Sequence, residues 1–524
     1  MKNLNFGAAL FAAIALAGCG SGGGNGGGGI TATGPAVVGD VPIPNFSGTG
    51  VAGSFDLAYV DQANHLVYIT DRNNKSIDQI TYASGTAFNG APKLSAQYTL
   101  GFTGCQSAPG VAAPGCPTAA PAAATANSGP NGVHGVVGTT TVTAGDVQKI
   151  VVFNSATGAL IATIPATNPL SGNTGARTDE GCVLSAAKSP LGVPIVAYSN
   201  TSENQKTIGT AARGQTFYTF ARLDTNAVIG QLVIPNSSGQ ELCLFDTSGA
   251  AAIMYYTDDG DINNPHSIIG AGNTNPGSFN PEGSLDALHV ANLITAFAAA
   301  PTAPNGNKYI ILDTNANVTA DIAAGFYPAT AKGAGANLAA IDYKTTAATG
   351  FWHRAAGFNT AQGAAPGNGC APAGMALNTN NNVDVATSCR PALGLPSVLL
   401  VVNRNTGALV AQPLGGNADQ VQFDAVGNMY LTAASRWTPT GLSPGGCAAS
   451  PATRVCTPVL SMVDASTFAI RGRVGVGNNA HGMDFDSSMG LAFMMYSNST
   501  LPAGCGNCAA NGFVNGGVSV IQFR

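Results

Sequence analysis

The stretch LAYVDQANHLVYITDRNNKSIDQI, Leu57 to Ile80, decides how the chain folds. Leu57–Val60 and Leu66–Ile69 are short runs of apolar, aromatic and β-branched residues, the composition of strands. Asp61–His65 between them has the composition of a turn. Asp71-Arg72-Asn73-Asn74 makes a second turn, and Ser76–Ile80 a third strand. Three short strands joined by tight turns form a meander. A single meander occurs on many folds, whereas a recurring one specifies a repeat architecture.

The unit recurs. NAHGMDFDSSMGLAFMMYSN from Asn479 has the same strand–turn–strand order, and so have ADQVQFDAVGNMYLTAAS from Ala418 and QELCLFDTSGAAAIMYYTDD from Gln240. APAGMALNTNNNVDVATS from Ala371 is a weaker copy. A second pattern, strand, Asn/Asp-rich turn, strand, also recurs: VVFNSATGALIATIP from Val151, YTFARLDTNAVIGQLVIP from Tyr218, LLVVNRNTGALVAQPL from Leu399 and SMVDASTFAIRGRVGV from Ser461. Together they make a four-stranded unit, the signature of a β-propeller. The His134-Gly135 and His481-Gly482 pairs, and the Tyr-x-Ser/Thr-Asn/Asp endings of several units, resemble the YVTN and NHL-type propeller repeats. The expected fold is therefore all-β, a β-propeller of about seven four-stranded blades with long loop insertions. It is expected to occupy residues 51–524 as one domain. The repeat is hardest to follow between Asn263 and Pro372. The last strand, Val518–Phe523, lacks an outer neighbour, and the segment around Val37 to Pro44 is expected to supply it, closing the ring and removing exposed sheet edges.

The chain opens MKNLNFGAALFAAIALAGCGSGGG. Lys2 precedes an apolar run, Phe6–Ala17, too short to span a bilayer, so residues 1–18 read as a signal peptide. Leu16-Ala17-Gly18-Cys19 resembles the bacterial lipobox, which implies that Cys19 is acylated and becomes the mature N-terminus. Gly20, rather than Asp, after the cysteine implies transport to the outer membrane. Residues 19–50 then form a lipidated cysteine and a Gly-rich tether, a random-coil composition. The expected location is the bacterial outer membrane, lipid-anchored and facing the periplasm or the cell surface.

Only 9% of residues are charged, against about 25% in an average domain. The net charge is −5 and no stripe of Lys and Arg is present, so nucleic acid is not an expected partner. With 45% hydrophobic residues the chain has the material for a large core. Apart from Cys19 there are ten cysteines: Cys105, Cys116, Cys182, Cys243, Cys370, Cys389, Cys447, Cys456, Cys505 and Cys508. An even number in an exported chain reads as disulfides. Most fall in local couples, and Cys505-Gly506-Asn507-Cys508 reads as a structural bridge because no βαβ pattern surrounds it. Glu180-Gly-Cys182 and Glu241-Leu-Cys243 occupy matching places in two neighbouring units, so Cys182 and Cys243 are candidates for a bridge between blades.

The innermost strand of each blade lines the channel, so its first residues are where chemistry would gather. At that position stand His134, Glu180, Glu241, Asp419 and His481, candidate ligands for a metal at the channel mouth. The competing reading is that they hydrate a channel and cap strand ends. Asp259, Asp261 and Asn263 alternate as in a calcium loop, although Gly270 stands at the twelfth position instead of Glu. A cofactor, if bound, is thus expected to be a divalent metal such as calcium. Gly441-Leu-Ser443-Pro-Gly445 has the letters of a nucleophile elbow but not the strand and helix that chemistry requires. Two classes remain: a lipid-anchored binding or scaffold protein of the cell envelope, whose partner is an envelope protein or extracellular ligand, and a metal-dependent propeller enzyme, a lactonase, lyase or hydrolase, working at the channel. Without a convincing convergent ligand set, the first is preferred.

Overall fold

A computed structural model of the chain describes residues 35–44, 55–82, 92–103, 129–170, 177–200, 205–208, 211–235, 237, 240–258, 284–336, 353–355, 370–391, 398–405, 408–415, 420–437, 457–478, 480, 482–497 and 516–524. They form a seven-bladed β-propeller. From the channel outward, the first blade is Phe55–Asp61, Leu66–Asp71, Ser76–Thr81 and Lys93–Tyr98, so the opening stretch is its first three strands. The second is Asn131–Gly135, Thr141–Asp146, Lys149–Asn154 and Leu160–Pro165. The third begins at Thr178–Leu184 and the fourth at Gln240–Asp246. The fifth begins at Cys370–Leu377 and the sixth at Val421–Asp424. The seventh runs Met483–Asp486, Leu491–Tyr496, Gly517–Gln522 and, outermost, Ala36–Pro42. Successive inner strands touch around the ring, and that of the seventh blade touches that of the first.

The ring closes as the unpaired last strand required. Val41 lies opposite Val518, and Ala36 opposite Gln522. The propeller thus takes in residues expected to belong to the tether. Val41 packs with Phe493, Val520 and, from the first blade, Ile69 and Ile80. The other blade interfaces are built alike. Tyr68 of the first blade packs against Phe153 of the second, and Leu399 and Val401 of the fifth pack with Tyr430 and Val463 of the sixth. The core is therefore a ring of interfaces between blades, which is why both faces of a strand such as Ile195–Asn200 are buried.

Two irregularities mark the repeat. Five inner strands carry a register shift near their start, at Phe55/Ala58, Asn131/His134, Thr178/Gly181, Gln240/Cys243 and Pro372/Met375. Such bulges re-aim side chains, here at the channel mouth. The turn between third and fourth strands is held by an Asx cap: Asn154 Oδ1 accepts from Ala156 and Thr157, and Asp464 Oδ1 from Ser466 and Thr467.

The stretch the repeat could not assign holds an insertion. After the third strand of the fourth blade, Ser284–His289, come helix α1 (Val290–Ala299), the short strand Tyr309–Ile311 and helix α2 (Asn315–Ala323). Leu293 and Phe297 of α1 enter the core between the third and fourth blades. Tyr309–Ile311 adds in parallel to Gln231–Val233 at the outer edge of the third blade. The insertion thereby straps the fourth blade onto the third.

Candidate functional site

All inner strands start on one face of the disc, called here the upper face, and turn back at the lower one. His134, Glu180 and Glu241 fall on three successive inner strands, Glu180 and Glu241 near the upper end and His134 further down, fourth of five residues. Asp419 and His481 lie outside the described residues, as do Asp259, Asp261 and Asn263. Among the described residues no group of three or more His, Cys, Asp and Glu side chains is placed to hold a metal ion.

The described residues place an ion network at this mouth, drawn from three blades. Arg72, in the second turn of the opening stretch, donates from Nη2 to Asp56 Oδ1 at 2.5 Å and to Asp179 Oδ1 at 3.3 Å. Its Nε donates to Asn131 Oδ1 at 2.6 Å. Arg177 donates to the other oxygen of Asp179. Asp56 Oδ2 accepts from the Gly132 amide at 2.8 Å, and Asn131 Nδ2 donates to the Thr178 carbonyl at 3.0 Å. Gly132 has φ +50°, and a Cβ there would lie 2.5 Å from the Asp179 carbonyl oxygen. Only glycine permits this approach of the second blade to the third.

Asp56 and Asp179 are almost fully buried. Burial raises the Asp179 carboxyl, Arg177 and Arg72 pull it down, and the charges of Asp56 and Glu241 raise it. Burial alone lowers His134 to about 4, so the ring is neutral at pH 7. It meets Tyr198 edge-on at 6.4 Å, and its Nε2 is buried with no hydrogen-bond partner among the described residues. Charges that satisfy one another in this way tie blades together; both Arg72 and Arg177 are already spent on protein carboxylates.

A second tie lies where the last blades meet the first. Gln420 Oε1 accepts from Met483 N at 2.7 Å and from Ala58 N at 3.0 Å, while its Nε2 donates to the Ala58 carbonyl at 3.0 Å. One buried amide thus joins the sixth, seventh and first blades. Beside it, Asp484 Oδ2 accepts from Val60 N at 2.6 Å. Burial raises the Asp484 carboxyl to about 7, against the two backbone donors Val60 and Phe485 that lower it. A carboxyl held above its unfolded value keeps its proton in the folded chain, so it costs stability as pH rises from about 4 to about 7. Asp484→Asn should therefore stabilise the protein more at pH 8 than at pH 5, by about 1–2 kcal/mol in urea unfolding. An equal effect at both pH values would contradict the assignment.

Arg72, Asp56, Asn131 and Arg177 were not singled out in the sequence. The one available signal was the rarity of charge: an Arg in a turn of so uncharged a chain is worth a partner search. The paired cysteines were legible. Cys182 and Cys243 form a disulfide, S–S 2.05 Å and Cα–Cα 5.5 Å, between the inner strands of the third and fourth blades. Cys389 is disulfide-bonded as well. The side chain of Cys370, and Cys19, Cys105, Cys116, Cys447, Cys456, Cys505 and Cys508, lie outside the described residues. Compared with known proteins, the chain matches no family model and no curated protein sequence.

Proposed function

We propose that the protein is a lipid-anchored propeller of the bacterial outer membrane that binds an envelope protein or extracellular ligand through its upper face. The observation that carries this reading is where the chain enters and where its long connections leave. Ala36 stands opposite Gln522, at the lower end of the third strand of the seventh blade, so the described chain begins on the lower face. The connections 104–128, 259–283, 356–369, 438–456 and 498–515 all join strand ends on the upper face. On the lower side the connections of comparable scale are the helical insertion, 83–92 and 185–194. Long connections are where recognition concentrates, and a rigid disc holds them in place. The resemblance of the repeats to YVTN and NHL-type propellers fits this role, because a propeller body presents loops without moving its blades. The mutual engagement of Arg72, Arg177, Asp56 and Asp179 favours binding over chemistry at the channel.

Anchoring is tested by Cys19→Ala. The variant should leave the membrane fraction and appear soluble, and the N-terminal peptide of the wild type should carry acyl chains by mass spectrometry. A variant still sedimenting with membranes, together with an unmodified wild type, would reject the anchor.

A further inference from the structure

On the lower face, between the fifth and sixth blades, lies a cleft of about 480 Å³. Its lining includes the amides of Asn378, Asn380, Asn381 and Asn428, with Asp384 and Phe468. The volume falls within the range of about 300–1,000 Å³ typical of small-ligand pockets. We propose that this cleft binds a neutral saccharide, its hydroxyls on the asparagine amides and the apolar face of its ring on Phe468.

Three observations carry this. The first is the chemistry of the wall. An amide offers both donors and an acceptor, as a hydroxyl does, so a row of them matches a polyhydroxylated ligand without demanding charge. Asp384 is the one ionisable group in the lining and no cation stands there, which disfavours an anionic ligand. Part of each amide is spent within the protein, which orients the wall across the blade boundary: Asn380 Nδ2 donates to Asn428 Oδ1 at 3.0 Å and to the Ala425 carbonyl at 2.8 Å, Asn381 Nδ2 to Asp384 Oδ2 at 2.6 Å, Asn428 Nδ2 to Ser466 Oγ at 2.7 Å, and Asn378 Oδ1 accepts from the Asn380 backbone amide at 3.0 Å.

The second is Phe468 itself. It stands at the fourth residue after Asp464, at φ +57°, in the left-handed region. The same place in the second blade, four after Asn154, is Gly158 at φ +67°. In the third blade it is Asn226 at φ +54°, and in the fifth the sequence has Gly407. The backbone closure is identical, Gly158 N to Asn154 O and Phe468 N to Asp464 O, each 2.8 Å. A repeat that fills this strained position with Gly or Asn elsewhere fills it in the sixth blade with a bulky aromatic. Such a residue is uncommon there and marks a position held for a purpose. Part of the ring packs on the interface between the fifth and sixth blades, and the rest lines the cleft.

The third lies behind the wall. Tyr430 is fully buried, and its hydroxyl, beside Asn378 and Asp384, makes no hydrogen bond of normal geometry with the described residues. A hydroxyl or water held by those two lining residues would complete it.

The test is titration of the full soluble body, carrying Cys19→Ala, with maltotriose and triacetylchitotriose, followed by calorimetry, and a neutral-glycan array. At least one neutral saccharide should bind. Phe468→Gly, which relieves the backbone, should keep the fold by circular dichroism yet weaken binding by about tenfold or more; Asn380→Ala should weaken it too. Three results would overturn the proposal: no binding to either probe or to the array, unchanged binding in both variants, or binding that exists only with calcium and disappears in chelator.

Discussion

Arg72→Ala should destabilise the protein by about 3–5 kcal/mol, the cost of stripping one partner from a buried ion pair. The Arg72 side chain is 14% exposed, and those of Asp56 and Asp179 only 2%. Without it, Asp56 keeps the Gly132 amide and Asp179 keeps Arg177, and Asn131 Oδ1 loses its guanidinium donor. Two carboxylates are then under-compensated in low dielectric, and three blades lose their shared tie. Arg72→Lys should recover little, since an ammonium cannot reproduce the fork that reaches two carboxylates and an amide at once. The loss should shrink as pH falls through about 7, where the buried Asp179 carboxyl takes up a proton and sheds its unpaired charge. Urea unfolding at two pH values reads both effects. A loss under about 1 kcal/mol, the value of an exposed pair, would show that the network is not a structural tie.

Removing the Cys182–Cys243 bridge should cost about 4 kcal/mol on the loop-entropy model, given its sequence separation of 61. The fold should survive, because the same interface is held twice more: Leu293 and Phe297 of α1 fill it, and Tyr309–Ile311 pairs across to Gln231–Val233. The Cys182→Ser/Cys243→Ser double variant should thus show native circular dichroism with a midpoint shifted to lower denaturant. An unchanged midpoint would mean that the unfolded chain is not constrained by this link. Complete loss of structure would mean that the insertion does not strap the third and fourth blades.

The blades were legible because their signals are local. Strand, Asp or Asn turn and strand lie within some twenty residues, as at Leu57–Ile80. The Cys182–Cys243 bridge was legible because the two residues fall on the inner strands of consecutive copies, although the register sets them one place apart: Gly181, not Cys182, matches Cys243. The closing strand followed from a count, since Val518–Phe523 had no outer partner. What could not be seen is what depends on distance. Arg72 meets partners 16, 59 and 107 residues away. Gln420 meets Ala58 across 362. No spacing rule connects such residues before the ring is closed. The insertion 290–336 failed for a related reason: Tyr309–Ile311 pairs in parallel with a strand far upstream, and parallel pairing leaves no turn to read. The cleft at Phe468 was hidden because the turn looks like its siblings in every respect but one residue.

Which face of the disc meets a partner decides the proposed function. Photoreactive residues at Thr103, exposed on the upper face, and at Val426, 69% exposed at a lower hairpin tip, test it in intact cells. The account predicts a discrete protein adduct from Thr103 and none from Val426. Adducts from Val426 alone, or from neither position, would contradict it.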